Sequence, residues 1–256
     1  MNINTTMEKK VLAIFSHPDD AEIMCAGTLS VLKKKGWEIH IATMAPGDKG
    51  TAVNTREEIS AIRKAEAKKA AEMIGAHYHC LEFEDVYILY DRITLNAVTT
   101  LLRIVKPSIV FTASPQDYMV DHEQTSKIVW TACFACGIRN MEVCEEPFEP
   151  VPYLYYSDPM EGKDIFGDPV KAKMYVDITE EMPVKEKMLA CHASQRNWLL
   201  EHHKMDEYIL AMKRFSANRG QEIGKTYAEG FRQHLGHGFN QENVLQEILG
   251  DKLVIK

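Results

Sequence analysis

Four short apolar runs, each followed by a polar loop and then a helix-like segment, constrain this chain more than any other feature. Residues 11–15 are apolar without interruption, as expected of a strand covered on both faces. Residues 22–35 read as a helix ending at Gly36, and 37–44 as a second strand. A polar loop with Pro46, Gly47 and Gly50 spans 45–55. Residues 56–74 are an Ala-, Glu- and Lys-rich helix closed by Gly75. Residues 78–83 read as a third strand, 95–105 as a helix stopped by Pro107, and 108–113 as a fourth strand; a helix is expected from Gln124. This alternation predicts an α/β, Rossmann-like fold: a mostly parallel sheet with helices on both faces, in three layers.

The second half is less regular. Residues 153–156 and 173–178 read as strands, 180–194 and 197–215 as helices, 227–233 as an edge strand and 240–249 as a closing helix. No linker separates the halves. Residues 1–256 are therefore expected to form one domain, with 1–140 the Rossmann-like half and 141–256 a mixed C-terminal extension.

Charge and cysteine usage narrow the function. The net charge is −7, and no dense Lys/Arg block is present, so a non-specific nucleic-acid binder is not expected. Lys33, Lys34 and Lys35 fall at a helix end, where cations complement the dipole. Cys133 and Cys136 spell C-x-x-C inside a predicted helix with no second pair at zinc-ribbon spacing, so buried thiols are expected. No run of about 18 apolar residues marks a membrane span and no signal-peptide core is visible, which predicts a cytoplasmic protein.

The first strand runs into Ser16-His17-Pro18-Asp19-Asp20-Ala21-Glu22, and the fourth into Ser114-Pro115-Gln116-Asp117-Tyr118-Met119-Val120-Asp121-His122-Glu123. Loops at the carboxyl ends of parallel strands are where ligands bind. Pro18 restricts the first loop. Adjacent carboxylates repel in a low dielectric, and a bound cation removes that cost. The alternative use of Pro-Asp-Asp is a helix N-cap. The second loop favours the cation. In a sheet of order 3-2-1-4 the first and fourth strands are neighbours where the winding reverses. His17, Asp20 and His122 then supply two imidazoles and one carboxylate, leaving positions open for water and substrate.

These stretches resemble the PIG-L/LmbE-like zinc N-deacetylases, together with Arg56-Glu57-Glu58 and His192-Ala193-Ser194-Gln195. The resemblance is clearest over residues 10–200. It implies His17, Asp20 and His122 as metal ligands, Asp19 as general base, and Arg56 as a contact for sugar hydroxyls. The implied cofactor is Zn2+, although two His and one Asp admit other divalent ions. The implied reaction removes an N-acetyl group from an amino-sugar substrate such as an N-acetylglucosamine conjugate. Asp121 is expected to orient a His or a loop amide.

One departure stands out. The resemblance calls for His-Pro-Asp-His, and this chain has Met119-Val120-Asp121-His122. Met119 neither donates a hydrogen bond nor carries a proton. Tyr118, His192 and His237 are the candidates for the missing donor. His40, His77 and His79 lie in or beside strands and read as structural; His202 and His203 read as a solvated helix face. The remaining alternatives are a metallohydrolase of another amide or ester and a non-catalytic sugar- or metal-binding protein. A dinucleotide module is poorly served, because the first turn lacks G-x-G-x-x-G. A homo-oligomer is left open.

Overall fold

Every strand expected from the sequence joins one sheet. The structure, a computed structural model, describes residues 7–196 and 207–256. Its elements are β1 (Lys10–Phe15), α1 (Asp20–Met24), α2 (Ala26–Lys34), β2 (Glu38–Thr43), α3 (Arg56–Glu72), β3 (His77–Cys80), α4 (Arg92–Val105), β4 (Ile109–Thr112), α5 (Val120–Ala135), β5 (Tyr153–Ser157), β6 (Met174–Asp177), α6 (Met182–Leu189), α7 (Glu207–Glu222), β7 (Ala228–Gln233), α8 (Val244–Leu249) and β8 (Leu253–Ile255). The eight strands run in the order β3-β2-β1-β4-β5-β7-β6-β8. Pairings from β3 to β5 are parallel, and β5–β7, β7–β6 and β6–β8 are antiparallel. The sheet is mostly parallel, with the second half extending it.

The continuous apolar runs follow from burial on both faces. Val11, Ala13 and Phe15 face one core with Ile39, Ile41, Ile109 and Phe111. Leu12 and Ile14 face the other with Ala42, Val110 and the α4 and α5 residues Leu102, Ile128 and Val129. β1 pairs with both β2 and β4, so the winding reverses there and the β1 and β4 loops open side by side.

Several boundaries differ from expectation. The helix read over 22–35 is broken at Cys25, whose backbone (φ −144°, ψ 5°) separates α1 from α2. The helix expected from Gln124 begins at Val120, with Asp121 and Glu123 in its first turn, where carboxylates favour the dipole. Asp121 and His122 are therefore helical. β7 is not an edge strand: it lies between β5 and β6 and buries Ala228 to Phe231. The short β8, which the sequence reading omits, pairs with β6 at that end of the sheet. Residues 197–206 of the predicted 197–215 helix, with His202 and His203, lie outside the described residues.

A buried carboxylate on β7 bonds across to α2. Glu229 on β7 accepts from the Gly27 and Thr28 amides at 2.9 and 2.7 Å, from Thr28 Oγ1 at 2.6 Å and from Lys185 Nζ at 2.5 Å. The carboxylate thus satisfies amides in the first turn of α2. Lys185 is fully buried. Glu229→Ala strands the Lys185 charge and is expected to cost about 3–5 kcal/mol of stability. The shift in urea midpoint measures it; a loss under about 1 kcal/mol would contradict this role.

Candidate metal centre

Asp20 sits where the β1 loop meets the start of α5. Its Oδ2 accepts from the His17 amide at 2.9 Å, which folds the loop back on itself. His17 Nδ1 lies 3.6 Å from that oxygen, and His122 Nε2 lies 3.4 Å from Asp20 Oδ1. The donor atoms of His17, Asp20 and His122 all fall within 4.8 Å of one another, and all three residues are buried. Ser16 Oγ and Thr125 Oγ1, 2.8 Å apart, hold the β1 loop against α5.

Each imidazole is held from outside by a second carboxylate. His17 Nε2 is 3.1 Å from Asp121 Oδ2, and His122 Nδ1 is 3.2 Å from Asp117 Oδ1. Asp121 Oδ2 also accepts from the Val86 amide at 2.6 Å. This leaves His17 Nδ1, His122 Nε2 and an Asp20 oxygen facing one another, the arrangement in which outer carboxylates fix the tautomers of metal-binding imidazoles. Without an ion, the charges compensate with protons. Burial opposes protonation of His17, but the bonds to Asp121 and Asp20 outweigh it and raise the ring to about 9. Burial likewise opposes protonation of His122, and Asp20 and Asp117 raise it well above the usual range. Burial disfavours the Asp20 carboxylate, yet the two imidazoles hold it well below its ordinary value. Among the described residues the buried Asp121 Oδ1 has no hydrogen-bond partner. A divalent cation fits this donor set and replaces the protons on the imidazoles.

Asp19 is not a helix cap. It occupies the N-cap position of α1, but its side chain makes no capping bond. Its φ of 103° is a strained conformation for a non-glycine residue and one that recurs at functional sites. The carboxylate instead accepts from Tyr208 Oη at 2.6 Å and Arg63 Nη2 at 3.3 Å. Burial pushes the Asp19 carboxyl up, and Arg63 opposes that shift. Arg63 also donates to the Pro18 carbonyl at 2.7 Å. Gly47 makes room for it: a Cβ there would meet the Arg63 side chain at 2.5 Å.

A cavity of about 1070 Å³ opens over these groups. Among the described residues its wall includes Asp19, Tyr118, Met119, Lys49, Lys163 and Phe215. Tyr118 packs edge-on against His122 with ring centroids 5.6 Å apart. His192 is fully buried and absent from the wall; its Nε2 lies 3.5 Å from Glu22 Oε2. His237 is exposed and also outside the wall. Arg56 is outside it too, with its guanidinium on Asp48 and Glu84. The sequence offered no i+3 or i+4 carboxylate for Arg56, and the structure supplies partners from two loops. Arg63, two turns further along α3, takes the place beside Asp19. Arg63, Tyr208 and Asp117 are the site residues that sequence reasoning missed. Only Asp117 carried a signal, as a carboxylate five residues before His122 in the same loop.

Residues 12–133 match the family model "PIG-L: GlcNAc-PI de-N-acetylase". The chain is 27% identical over 231 residues to a diacetylchitobiose deacetylase of Thermococcus kodakarensis, spanning 88% of this chain and 82% of that protein. It is 29% identical over 210 residues to a Bacillus cereus protein named "Probable N-acetyl-alpha-D-glucosaminyl L-malate deacetylase 2", spanning 76% and 87% respectively. A 4-carboxy-2-hydroxymuconate hydratase of Pseudomonas putida shares the fold, with a TM-score of 0.76 at 22% identity over 93% of this chain and 99% of that one. Among the described residues, no helix is long and apolar enough to cross a membrane.

The centre makes a graded prediction. His122→Ala removes one of the three candidate donors and is expected to abolish metal binding at this centre. Asp117→Asn keeps the His122 imidazole, weakens its support and is expected to lower affinity about 10–100-fold. Competition with a chromophoric chelator measures both; equal affinity in Asp117→Asn and the parent would contradict the assignment.

Proposed function

We propose, from the premise that residues 12–133 make this chain a PIG-L/LmbE-like protein, that it is a metal-dependent N-deacetylase acting on an N-acetylated amino sugar or its conjugate. The observation that carries the reading is the juxtaposition at the cavity floor. Two carboxylate-backed imidazoles and Asp20 converge there, with the strained Asp19 beside them and free of any capping role. Zn2+ is the ion proposed for His17, Asp20 and His122. When bound, such an ion supplies Lewis-acid chemistry, acidifying water and polarising the amide carbonyl.

The chain's own groups do the rest. Asp19 takes the proton as water attacks the carbonyl and later returns it to the departing nitrogen. Burial raises this carboxyl above its ordinary value and Arg63 opposes that shift. Tyr208 and Arg63 hold its oxygen in place, so the proton moves at a fixed position. Tyr118, beside His122 in the wall, is the proposed donor toward the developing oxyanion, standing in for the absent histidine. Asp121 and Asp117 keep the imidazoles oriented, and His192 supports α1 through Glu22. The cavity has room for a sugar bearing a further group. Arg56 is proposed to contact such a group only at the rim, because its guanidinium is engaged by Asp48 and Glu84.

A second reading is the addition of water to a polarised double bond. Activated water and a carboxylate base serve both reactions, and Met119 in the wall offers no hydrogen bond to an amide oxyanion. An assay for acetate and free amine across N-acetylglucosamine, diacetylchitobiose and glucosamine conjugates separates them. Acetate release from at least one is expected. Hydration of an unsaturated acid with no acetate from any amide would replace the first reading with the second. Asp19→Asn is expected to keep the metal and lose about 10²–10⁴-fold in kcat. An Asp19→Asn enzyme with full activity would remove this residue from the reaction.

A further inference from the structure

A second group of metal-binding side chains lies at the other end of the sheet. Glu38 and His40 stand at the start of β2, and His77 and His79 on β3, the edge strand. Parallel register sets His40 opposite His77, so the four side chains share one face. The deacetylase centre lies past the carboxyl ends of β1 and β4, whereas this group gathers at the amino ends of β2 and β3.

Its geometry is ordered. His40 Nε2 is 2.8 Å from Glu38 Oε1, and His40 Nδ1 is 2.9 Å from His79 Nε2. The His40 ring stacks on His77 with centroids 4.8 Å apart and on His79 at 5.2 Å. The donor atoms of Glu38, His40 and His77 lie within 4.8 Å of one another. His40 is buried, while Glu38 and His77 are exposed, so an ion can enter from solvent.

We infer that Glu38, His40 and His77 form a second divalent transition-metal site, with His79 as the outer partner that orients His40. Two imidazoles and a carboxylate suit Zn2+ and Ni2+ and leave a coordination position for water. An ion on His40 Nε2 fixes the ring proton on Nδ1, from which it donates to His79 Nε2. Lys10, opposite Glu38 in register, is paired with Glu8 at 2.9 Å. The site joins the four-residue edge strand β3 to β2 by a link that backbone pairing alone does not provide.

The test is metal stoichiometry on the full chain. Protein equilibrated with micromolar Zn2+ and passed through a desalting column is expected to carry two equivalents by elemental analysis. His77→Ala, an exposed position that leaves the fold intact, is expected to carry one. His122→Ala is also expected to carry one, retained at the β2–β3 edge, and the double variant none. His79→Leu is expected to weaken the second equivalent about 10–100-fold without touching the first. Circular dichroism checks folding in each variant. A metal content unchanged by His77→Ala, or unchanged affinity of the second equivalent in His79→Leu, would each overturn the site.

Discussion

The electrostatics around Asp20 organise the candidate active site. Three buried carboxylates, Asp20, Asp117 and Asp121, surround two buried imidazoles in a region that excludes most water. Such a cluster is tolerable only if positive charge is drawn into it. The carboxylates raise the proton affinity of His17 and His122, and a divalent cation would supply the same positive charge in a smaller space. The orientation of both rings follows from the same requirement. Asp117 and Asp121 each hold one nitrogen, and the other nitrogen of each ring turns toward Asp20.

The fold makes this cluster possible by bringing two loops together where the sheet reverses its winding. β1 and β4 are hydrogen-bonded neighbours, so their following loops face the same crevice. The second half completes the site from the far side. Tyr208 on α7 reaches Asp19, and His192 lies against Glu22. Glu229 on β7 meanwhile fastens α2 to the extension. The strained backbone at Asp19 and at Val86, which has a φ of 72°, is held by these contacts: Val86 donates to Asp121, and Asp19 accepts from Tyr208 and Arg63.

The order β3-β2-β1-β4 and the meeting of His17, Asp20 and His122 in one crevice were legible in the sequence because they depend on local signals. Uninterrupted apolar runs mark strands buried on both faces, and the residues after those runs are placed by topology. The start of α5 was less legible, because Asp121 and Glu123 read equally as loop residues and as first-turn carboxylates. β7 looked like an edge strand because Glu229, Arg232 and Gln233 interrupt its apolar pattern. The structure shows that Glu229 is buried with four donors around it. Arg63 and Tyr208 could not be foreseen, since nothing in one sequence reveals that residues so far apart share a partner in Asp19. The histidines of β2 and β3 read as structural for the same reason: only parallel register puts His40 beside His77.

Crystals grown with zinc and measured at the zinc absorption edge test the central claim most directly. An anomalous peak is expected in the crevice about 2.0–2.2 Å from His17 Nδ1, His122 Nε2 and an Asp20 oxygen, with Asp117 and Asp121 remaining on the outer nitrogens. A crevice without a peak, or a peak ligated by His17 Nε2 and Asp121 while Asp20 stands apart, would contradict it.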